Sequence, residues 1–157
     1  MTDPKNLASR FREPLLDGKW IANTNLKAQL AEVDVHLATK KINSLNSIAA
    51  LTFHLDYYIA GVLQAFNGGS LDIRDKYSFD MPAVVSEQDW TDLQEKLWSD
   101  VESFALAVEE MTADQLNAVF VDEKYGDYRR NIEGMIEHAY YHLGQVVLIK
   151  KLLTEQA

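Results

Sequence analysis

The sequence of 157 residues contains no cysteine, and proline and glycine are scarce, at three and seven residues. Without cysteine the chain forms no disulfide, binds no metal through thiolates and has no thiol nucleophile of its own. A domain of this length buries about 68–70% of its unfolded surface, so its stability requires neither a disulfide nor a structural metal. We therefore interpret residues 1–157 as a single domain in which a bound metal would serve function.

The sequence also lacks long apolar runs and an excess of basic residues. No uninterrupted apolar segment has the length of a membrane span, and residues 1–6 lack the basic start and apolar core of a secretory signal. We therefore expect a cytoplasmic protein that does not bind membranes. The formal net charge is −9, and residues 86–123 contain eleven acidic residues but a single basic one, Lys96. A negative surface repels phosphate backbones, which disfavours nucleic acid as a partner.

Apolar residues recur at helical spacing along most of the chain, and no strand pattern or internal repeat competes with them. The pattern predicts an all-α protein with four main helices, at about residues 7–17, 48–66, 86–110 and 129–153. A helical stripe also covers residues 24–36, and a short helix is expected from Thr112 to Phe120. Ser47, Ser86 and Thr112 are suited to cap the helices that follow them.

The connection between the second and third main helices, residues 68–85, is unusually long for a compact domain. If these two helices run parallel, the chain has to return along about 30 Å of helix. The eighteen residues of the connection span that distance easily when extended. Gly61, in the preceding helix, is expected to let another helix approach closely. Pro14 is expected to distort the last turn of the first helix, which should end near Gly18.

His138 and His142 lie four residues apart in the last main helix. At this spacing the two side chains share one face, with Cβ atoms about 5–6 Å apart, which is a typical metal-ligand arrangement. Stable sites for zinc-like ions use three or four protein ligands. His54, within the apolar second helix, is the best third candidate, so we hypothesise a three-histidine site that bridges two helices. His36, at a helix end, is expected in solvent, with a role as fourth ligand as the alternative.

A structural interpretation of these histidines has to be weighed against the metal. A single histidine on an apolar helix, such as His54, is more commonly a core residue bonded to a neighbour, and the His-x-x-x-His spacing also occurs by chance. Burying His138 and His142 side by side costs several kcal/mol unless each ring finds a partner or shares an ion. A thermolysin-type peptidase is not indicated, because Ala139 replaces the glutamate of that motif. Glu137 points about 100° away from the first histidine.

The chain resembles the DinB-like (YfiT-like) metalloenzymes over most of its length. The resemblance rests on His54 after residues 47–51, on the long connection that contains Pro82, and on residues 136–145, where two histidines four apart precede a small residue and a glutamine. It implies a four-helix bundle of up-down-down-up topology with a long crossover between helices two and three. It also implies homodimers packed through helices, and a divalent metal held by the three histidines at positions 54, 138 and 142.

Some members of the family that the chain resembles transfer small thiols such as bacillithiol or glutathione, some isomerise maleylpyruvate with a thiol cofactor, and many have no known reaction. Three neutral imidazoles leave a metal its full charge and open positions, where a bound water reaches a pKa of about 7 and a thiol binds as thiolate. We therefore hypothesise a metal-dependent transferase in which a small-molecule thiol attacks an electrophilic substrate. The alternatives are a hydrolase that uses metal-bound hydroxide and a non-catalytic metal-binding bundle.

Neither the metal nor its supporting residues follow uniquely from the sequence. Imidazole suits several ions, so we expect zinc or nickel, with iron or manganese as alternatives. Tyr58, Tyr141 and Gln145 are candidates for hydrogen bonds to the ligands or to the substrate. The two tyrosines have a simpler interpretation as core residues with the hydroxyl at the surface. The sequence identifies no general base.

Overall fold

The computed structural model describes residues 3–155. Across that range the chain forms seven α-helices and no β-strand, which confirms the all-α prediction. The helices are α1 (Pro4–Arg12), α2 (Leu26–Leu30), α3 (Val35–Thr39), α4 (Ile48–Phe66), α5 (Glu87–Glu109), α6 (Ala113–Leu116) and α7 (Tyr128–Glu155). None of these helices combines the length and the low polarity that crossing a bilayer requires.

Side-chain caps define where α4, α5 and α6 begin. The hydroxyls of Ser47 and Thr112 accept hydrogen bonds from backbone N–H groups three residues later, at 3.2 and 3.1 Å. Ser86 and Asp89 form a capping box at the start of α5. Each cap satisfies an N–H group that helix geometry leaves without an intrahelical partner. These starts are therefore set by local sequence, as predicted.

Pro14 lies in a wide helical turn, Glu13–Asp17, that follows α1 directly. Proline has no N–H group and its ring collides with the carbonyl one turn earlier, so the helix cannot continue with regular geometry. The turn ends at Gly18, whose backbone is extended. The predicted distortion and the predicted end of the first helix are both present.

The stripe over residues 24–36 was wrongly predicted as one helical segment. α2 and α3 are separate short helices, divided by a break at residues 31–34. The Asp34 side chain accepts a hydrogen bond from the backbone N–H of Leu37 (2.8 Å) and so starts a new helix. Aspartate favours such local bonds over a place inside a helix. α6 likewise ends four residues before Phe120, so both corrections concern short helices.

α4 packs against both α5 and α7. In its first half, His54 faces His138 on α7, and at its end Phe66 contacts Tyr128, with ring centroids 5.5 Å apart. From the first contact to the second, the residue number increases in α4 and decreases in α7. The two helices therefore run antiparallel, which places the middle of α7 beside the first half of α4.

α5 runs in the same direction as α4. Asp56 pairs with Lys96 (2.5 Å), and further along both helices Phe66 contacts Phe104, with centroids 5.0 Å apart. α1 packs against α5 and α7, and the buried apolar side chains of all four helices form the core. Because α4 and α5 are parallel, the chain has to return between them, which accounts for the length of residues 68–85.

The connection formed by residues 68–85 packs along α4 as it returns. Ile73 lies so close to Gly61 that a Cβ added to the glycine would be 2.8 Å from Ile73 Cδ1. The close approach predicted at Gly61 is present, but the partner is this connection and not another helix. A 3-10 turn at Asp75–Tyr77 then leads into Ser78, which is buried. The connection thereby reaches the part of α4 that carries the histidine.

Candidate metal centre

Three histidine rings from two helices meet between α4 and α7. His54 lies on α4, and His138 and His142 lie about one turn apart on α7. Nε2 of His138 is 2.8 Å from Nε2 of His142 and 3.2 Å from Nε2 of His54. Three nitrogens bound tetrahedrally to zinc at about 2.0–2.1 Å would be about 3.3 Å apart. The cluster therefore has the dimensions of a site for one divalent ion.

The chain holds the His54 ring in one tautomer. Its Nδ1 atom lies 3.3 Å from the backbone carbonyl oxygen of Ser78. A carbonyl oxygen only accepts hydrogen bonds, so Nδ1 carries the hydrogen and Nε2 keeps its lone pair. That lone pair faces His138.

His142 is held in the same tautomer. Its Nδ1 donates to Oε1 of Gln145 (2.7 Å), which lies beside it on the helix surface at a spacing of three residues. Nε2 of His142 therefore also presents a lone pair to His138. Nε2 of His138 carries at most one hydrogen and satisfies only one of these two lone pairs. A cation accepts a lone pair from each of the three rings, so the donor set fits a metal ion.

Burial keeps the three imidazoles neutral near pH 7. His54 and His142 are only 8% and 5% exposed. Desolvation lowers the pKa of both rings below the usual value for histidine. Desolvation, with added repulsion from the other two rings, lowers the pKa of His138 to about 4. Metals bind unprotonated imidazole, so protons do not compete for these nitrogens at neutral pH.

The connection between α4 and α5 covers one side of the cluster. The ring of Phe79 stacks on His54, with centroids 4.2 Å and planes 12° apart, and Ser78 supplies the carbonyl that holds the same ring. Neither contact was predicted, because the connection has no periodic pattern that assigns side chains to a face. The one available signal is the pair of aromatic residues Tyr77 and Phe79 among charged neighbours.

Tyr58 borders the cluster without bonding to a ring nitrogen. Its ring packs against His54 and His138, with centroids 5.0 and 5.2 Å apart. Its hydroxyl donates instead to Oδ1 of Asp75 (2.6 Å). Burial and the contact with Asp75 raise the pKa of Tyr58 to about 12, so the phenol stays protonated at neutral pH.

The other two predicted supporting residues differ in their contact with the cluster. Gln145 makes the direct hydrogen bond to His142 described above. Tyr141 is 63% exposed and meets His142 only through a ring contact, with centroids 4.9 Å apart. The structure thus brings Gln145 into the cluster and leaves Tyr141 at the surface.

Two further residues considered from the sequence lie outside the cluster. His36 is exposed on α3 and is not one of the clustered histidines. Glu137 is exposed and pairs with Arg130 (3.1 Å), so its carboxylate is engaged away from the rings. The site therefore has neither a fourth histidine nor the adjacent glutamate of the metallopeptidase motif.

Comparisons with protein-family models, curated proteins and solved structures find no match for this chain. The resemblance to the DinB-like enzymes therefore stays a prediction that rests on the residues quoted for it. The described residues establish an all-α fold and three histidines close enough to hold one divalent ion.

Proposed function

We propose that the protein is a metal-dependent enzyme in which His54, His138 and His142 bind one divalent cation, with zinc or nickel preferred to iron or manganese. One observation carries this proposal. In both His54 and His142 a hydrogen bond at Nδ1 leaves the lone pair on Nε2, where it faces the other rings of the cluster. A histidine that only filled the core would be satisfied by a neighbouring group. Here the buried nitrogens face one another, which is unfavourable unless a cation is bound.

Residues next to the three histidines keep the rings in the form that binds a metal. Ser78 and Gln145 hold two of the histidines in the tautomer that binds metal, and Phe79 shields His54 from water. When bound, a divalent ion supplies Lewis acidity, which lowers the pKa of a thiol or water that it coordinates.

We favour transfer of a small-molecule thiol to an electrophilic substrate over hydrolysis. Within residues 3–155, no carboxylate hydrogen-bonds to a histidine of the cluster, and Asp75 is occupied by Tyr58. Hydrolysis at histidine-bound zinc commonly uses a glutamate as general base, whereas a thiol that ionises on the metal needs none. The chain has no cysteine, so the thiol has to come from a co-substrate such as bacillithiol or glutathione.

The finer description of the fold belongs to the same proposal. We infer an up-down-down-up four-helix bundle of the DinB-like kind, acting as a cytoplasmic homodimer. The antiparallel pair α4 and α7, and the parallel pair α4 and α5 joined by residues 68–85, support this order of helices. The dimer and the compartment rest on the resemblance and on the composition.

Metal analysis of protein purified without a nickel column tests the site. We expect about one equivalent of zinc or nickel per chain, since the three histidines form a single cluster. His138→Ala should retain no metal while its helical circular dichroism is unchanged, because the apolar core does not depend on the ion. His36→Ala removes an exposed histidine outside the cluster and should retain the wild-type content. Equal metal in the two variants would contradict the proposal.

A second experiment tests the reaction. The metal-loaded protein is incubated with a panel of thiols and an activated aryl halide, and separately with an activated ester, with and without chelator. Consumption of thiol that the chelator abolishes supports the transferase. Turnover of the ester without thiol supports the hydrolase, and no turnover in either assay supports a non-catalytic metal-binding bundle.

A further inference from the structure

An open cleft of about 720 Å³ adjoins the histidine cluster. Tyr58, whose ring contacts His54 and His138, forms part of its wall. Gly134 and Met135 line the cleft from α7, and at four and three residues before His138 they lie on the same side of the helix as that histidine. The cleft therefore borders the cluster, with the Tyr58 ring at the boundary.

The charge of this cleft is opposite to that of the chain as a whole. Arg74, Lys124 and Arg130 line it, although the chain has a net charge of −9. The one carboxylate among the described lining residues, Asp75, accepts the hydrogen bond from the Tyr58 hydroxyl. Cations outnumber carboxylates in the lining three to one, so the cleft attracts anions despite the acidic surface elsewhere.

The cations differ in how far the chain already neutralises them. Within residues 3–155 the Arg74 guanidinium has no ion-pair partner. Arg130 donates two hydrogen bonds to Glu137, at 3.3 and 3.1 Å, out of the five N–H donors of a guanidinium. Nζ of Lys124 lies 3.7 Å from Oδ2 of Asp122, so this lysine also has an anionic partner. Guanidinium groups bind carboxylates and phosphates in a bidentate manner, so Arg74 has the chemistry to bind an external oxyanion, and Arg130 lines the same cleft.

Much of the remaining wall is apolar. Its side chains come from α4, the connection and the segment before α7, namely Val62, Leu71, Ile73 and Phe120. Apolar walls favour an organic body and strengthen the electrostatic attraction at their rim by excluding water. The combination fits a small molecule that has an apolar or aromatic body and one anionic end.

We propose that the electrophilic substrate of the site is such an organic anion. Its carboxylate or phosphate is bound by Arg74 and Arg130, its body fills the cleft, and its reactive end passes Tyr58 to reach the three histidines. This inference rests on the proposed function, because it assigns the substrate class of the same site. The binding of the anion, however, can be measured without any turnover.

Calorimetric titration of the full chain tests the proposal, with zinc and with chelator. The probes are para-nitrobenzoate, para-nitrophenyl phosphate and uncharged para-nitrobenzamide, which share one aromatic body. At least one anion should bind about tenfold more tightly than the amide, and Arg74→Gln should remove about that factor. Lys151→Gln makes the same change of charge at an exposed position of α7 that does not line the cleft, and should leave binding unchanged.

A steric variant shows whether the probes occupy this cleft. Gly134 lies on its α7 wall, and an added Cβ would be 3.6 Å from Arg130, an ordinary contact. Gly134→Leu should therefore fold, as circular dichroism would show, and should weaken the binding of all three probes because the leucine side chain occupies the cleft. Gly144→Leu is the matched control that should bind normally, because Gly144 is exposed on the same helix, lies outside the cleft lining, and an added Cβ there would meet nothing within 4 Å.

The outcomes separate the two proposals. An amide that binds as tightly as the anions, or equal weakening by Arg74→Gln and Lys151→Gln, would overturn the anion site whatever the enzyme does. Anion binding that persists in a protein with no metal affinity or thiol turnover would count against the proposed function alone. The tighter of the two anions identifies the carboxylate or the phosphate as the recognised group.

Discussion

His54 and Asp56 are both buried polar residues of α4, only two positions apart, yet they face different helices. His54 faces α7 and two further histidines, whereas Asp56 faces α5 and Lys96. Removing either side chain from water costs free energy. The described chain offsets part of that cost for Asp56 through an ion pair and supplies no counter-charge for His54.

Asp56 has a counter-charge from the chain itself. Lys96 Nζ lies 2.5 Å from its Oδ2 and 2.7 Å from Oδ2 of Asp100, one turn further along α5. The other carboxylate oxygen, Oδ1, has no hydrogen-bond partner among the described residues. Burial raises the pKa of Asp56 to about 6 in spite of Lys96. The ion pair thus joins α4 to α5, but at a cost that its lysine does not fully offset.

Among the described residues, no carboxylate or other charged group pairs with the histidine cluster in this way. Ser78 and Gln145 orient two of its rings, but only so that their lone pairs face a third imidazole. Within residues 3–155 no side chain satisfies all three rings at once, whereas the three nitrogens lie close enough together to hold one cation. The comparison shows that neither burial nor one unpaired acceptor, such as Oδ1 of Asp56, indicates function by itself. What distinguishes the histidines is that ring nitrogens from three residues converge on one point.

The largest expected difference between the two buried groups is in how their variants respond to zinc. Free zinc at about a hundredfold above its dissociation constant should raise the free energy of unfolding by about 2.7 kcal/mol, because it binds the folded state. His54→Ala should lose this gain, and Asp56→Ala, two residues away, should keep it. Urea denaturation with zinc and with chelator measures both. Equal zinc stabilisation of the two variants would show that His54 is no more important for zinc binding than Asp56.

Removing the hydrogen bond that orients His142 should have a smaller effect. Gln145→Ala frees that ring to change tautomer, so zinc affinity should fall about tenfold while zinc still binds. Competition with a chromogenic chelator measures the affinity. Gln88→Ala, at an exposed position of α5, is the matched control. An unchanged affinity for Gln145→Ala would show that the hydrogen bond does not support metal binding.

Asp56→Asn should stabilise the metal-free protein near neutral pH. A carboxyl group whose pKa is raised by folding lowers stability above its folded pKa of about 6, and this penalty disappears as the pH falls below its unfolded value. Asparagine carries no charge and avoids the penalty. The gain should be on the order of 1 kcal/mol at about pH 7.5, after allowing for solvent screening at the half-exposed Lys96.

The same variant should lose its advantage in acid. Urea denaturation of both proteins in chelator, repeated at about pH 3, should give nearly equal free energies of unfolding, because Asp56 is then mostly protonated in both states. If the stability advantage of Asp56→Asn grew on acidification, the ion pair with Lys96 would stabilise the folded state by more than the burial of Asp56 destabilises it. Asp56 would then be a fully compensated buried charge.

The smallest effect is expected from a change that touches neither group. Gly144 lies inside α7, and a Cβ added there would meet nothing within 4 Å. Alanine has the higher helix propensity, so Gly144→Ala should raise the free energy of unfolding by about 0.5 kcal/mol and leave zinc affinity unchanged. A loss of zinc binding in this variant would indicate that the glycine makes room for a function not seen in the described contacts.

The helix starts were predictable because their causes are local. Ser47, Ser86 and Thr112 each bond to an N–H group three residues later, so a few neighbouring residues contain the whole interaction. The same local rule exposes the error over residues 24–36. There the apolar spacing continues past Asp34, but the side chain of this aspartate caps a new helix.

The candidate site also has a part that follows from local sequence and a part that depends on packing between helices. The shared face of His138 and His142, and the bond from His142 to Gln145, follow from helix geometry within one segment. Whether His54 joins them depends on the antiparallel register of α4 and α7. That register arises from packing between residues more than eighty positions apart, so spacing could suggest the contact but could not establish it.

Local pattern in the chain was thus sufficient for the helical class, the caps and the paired histidines, since these depend on interactions within one or two turns. The packing of distant segments was needed to carry Ser78 and Phe79 onto His54, to set Ile73 against Gly61 and to open a cationic cleft beside the rings. The connection that makes most of these contacts has no periodic pattern. Its conformation comes from the helices it crosses, and only the folded chain contains that information.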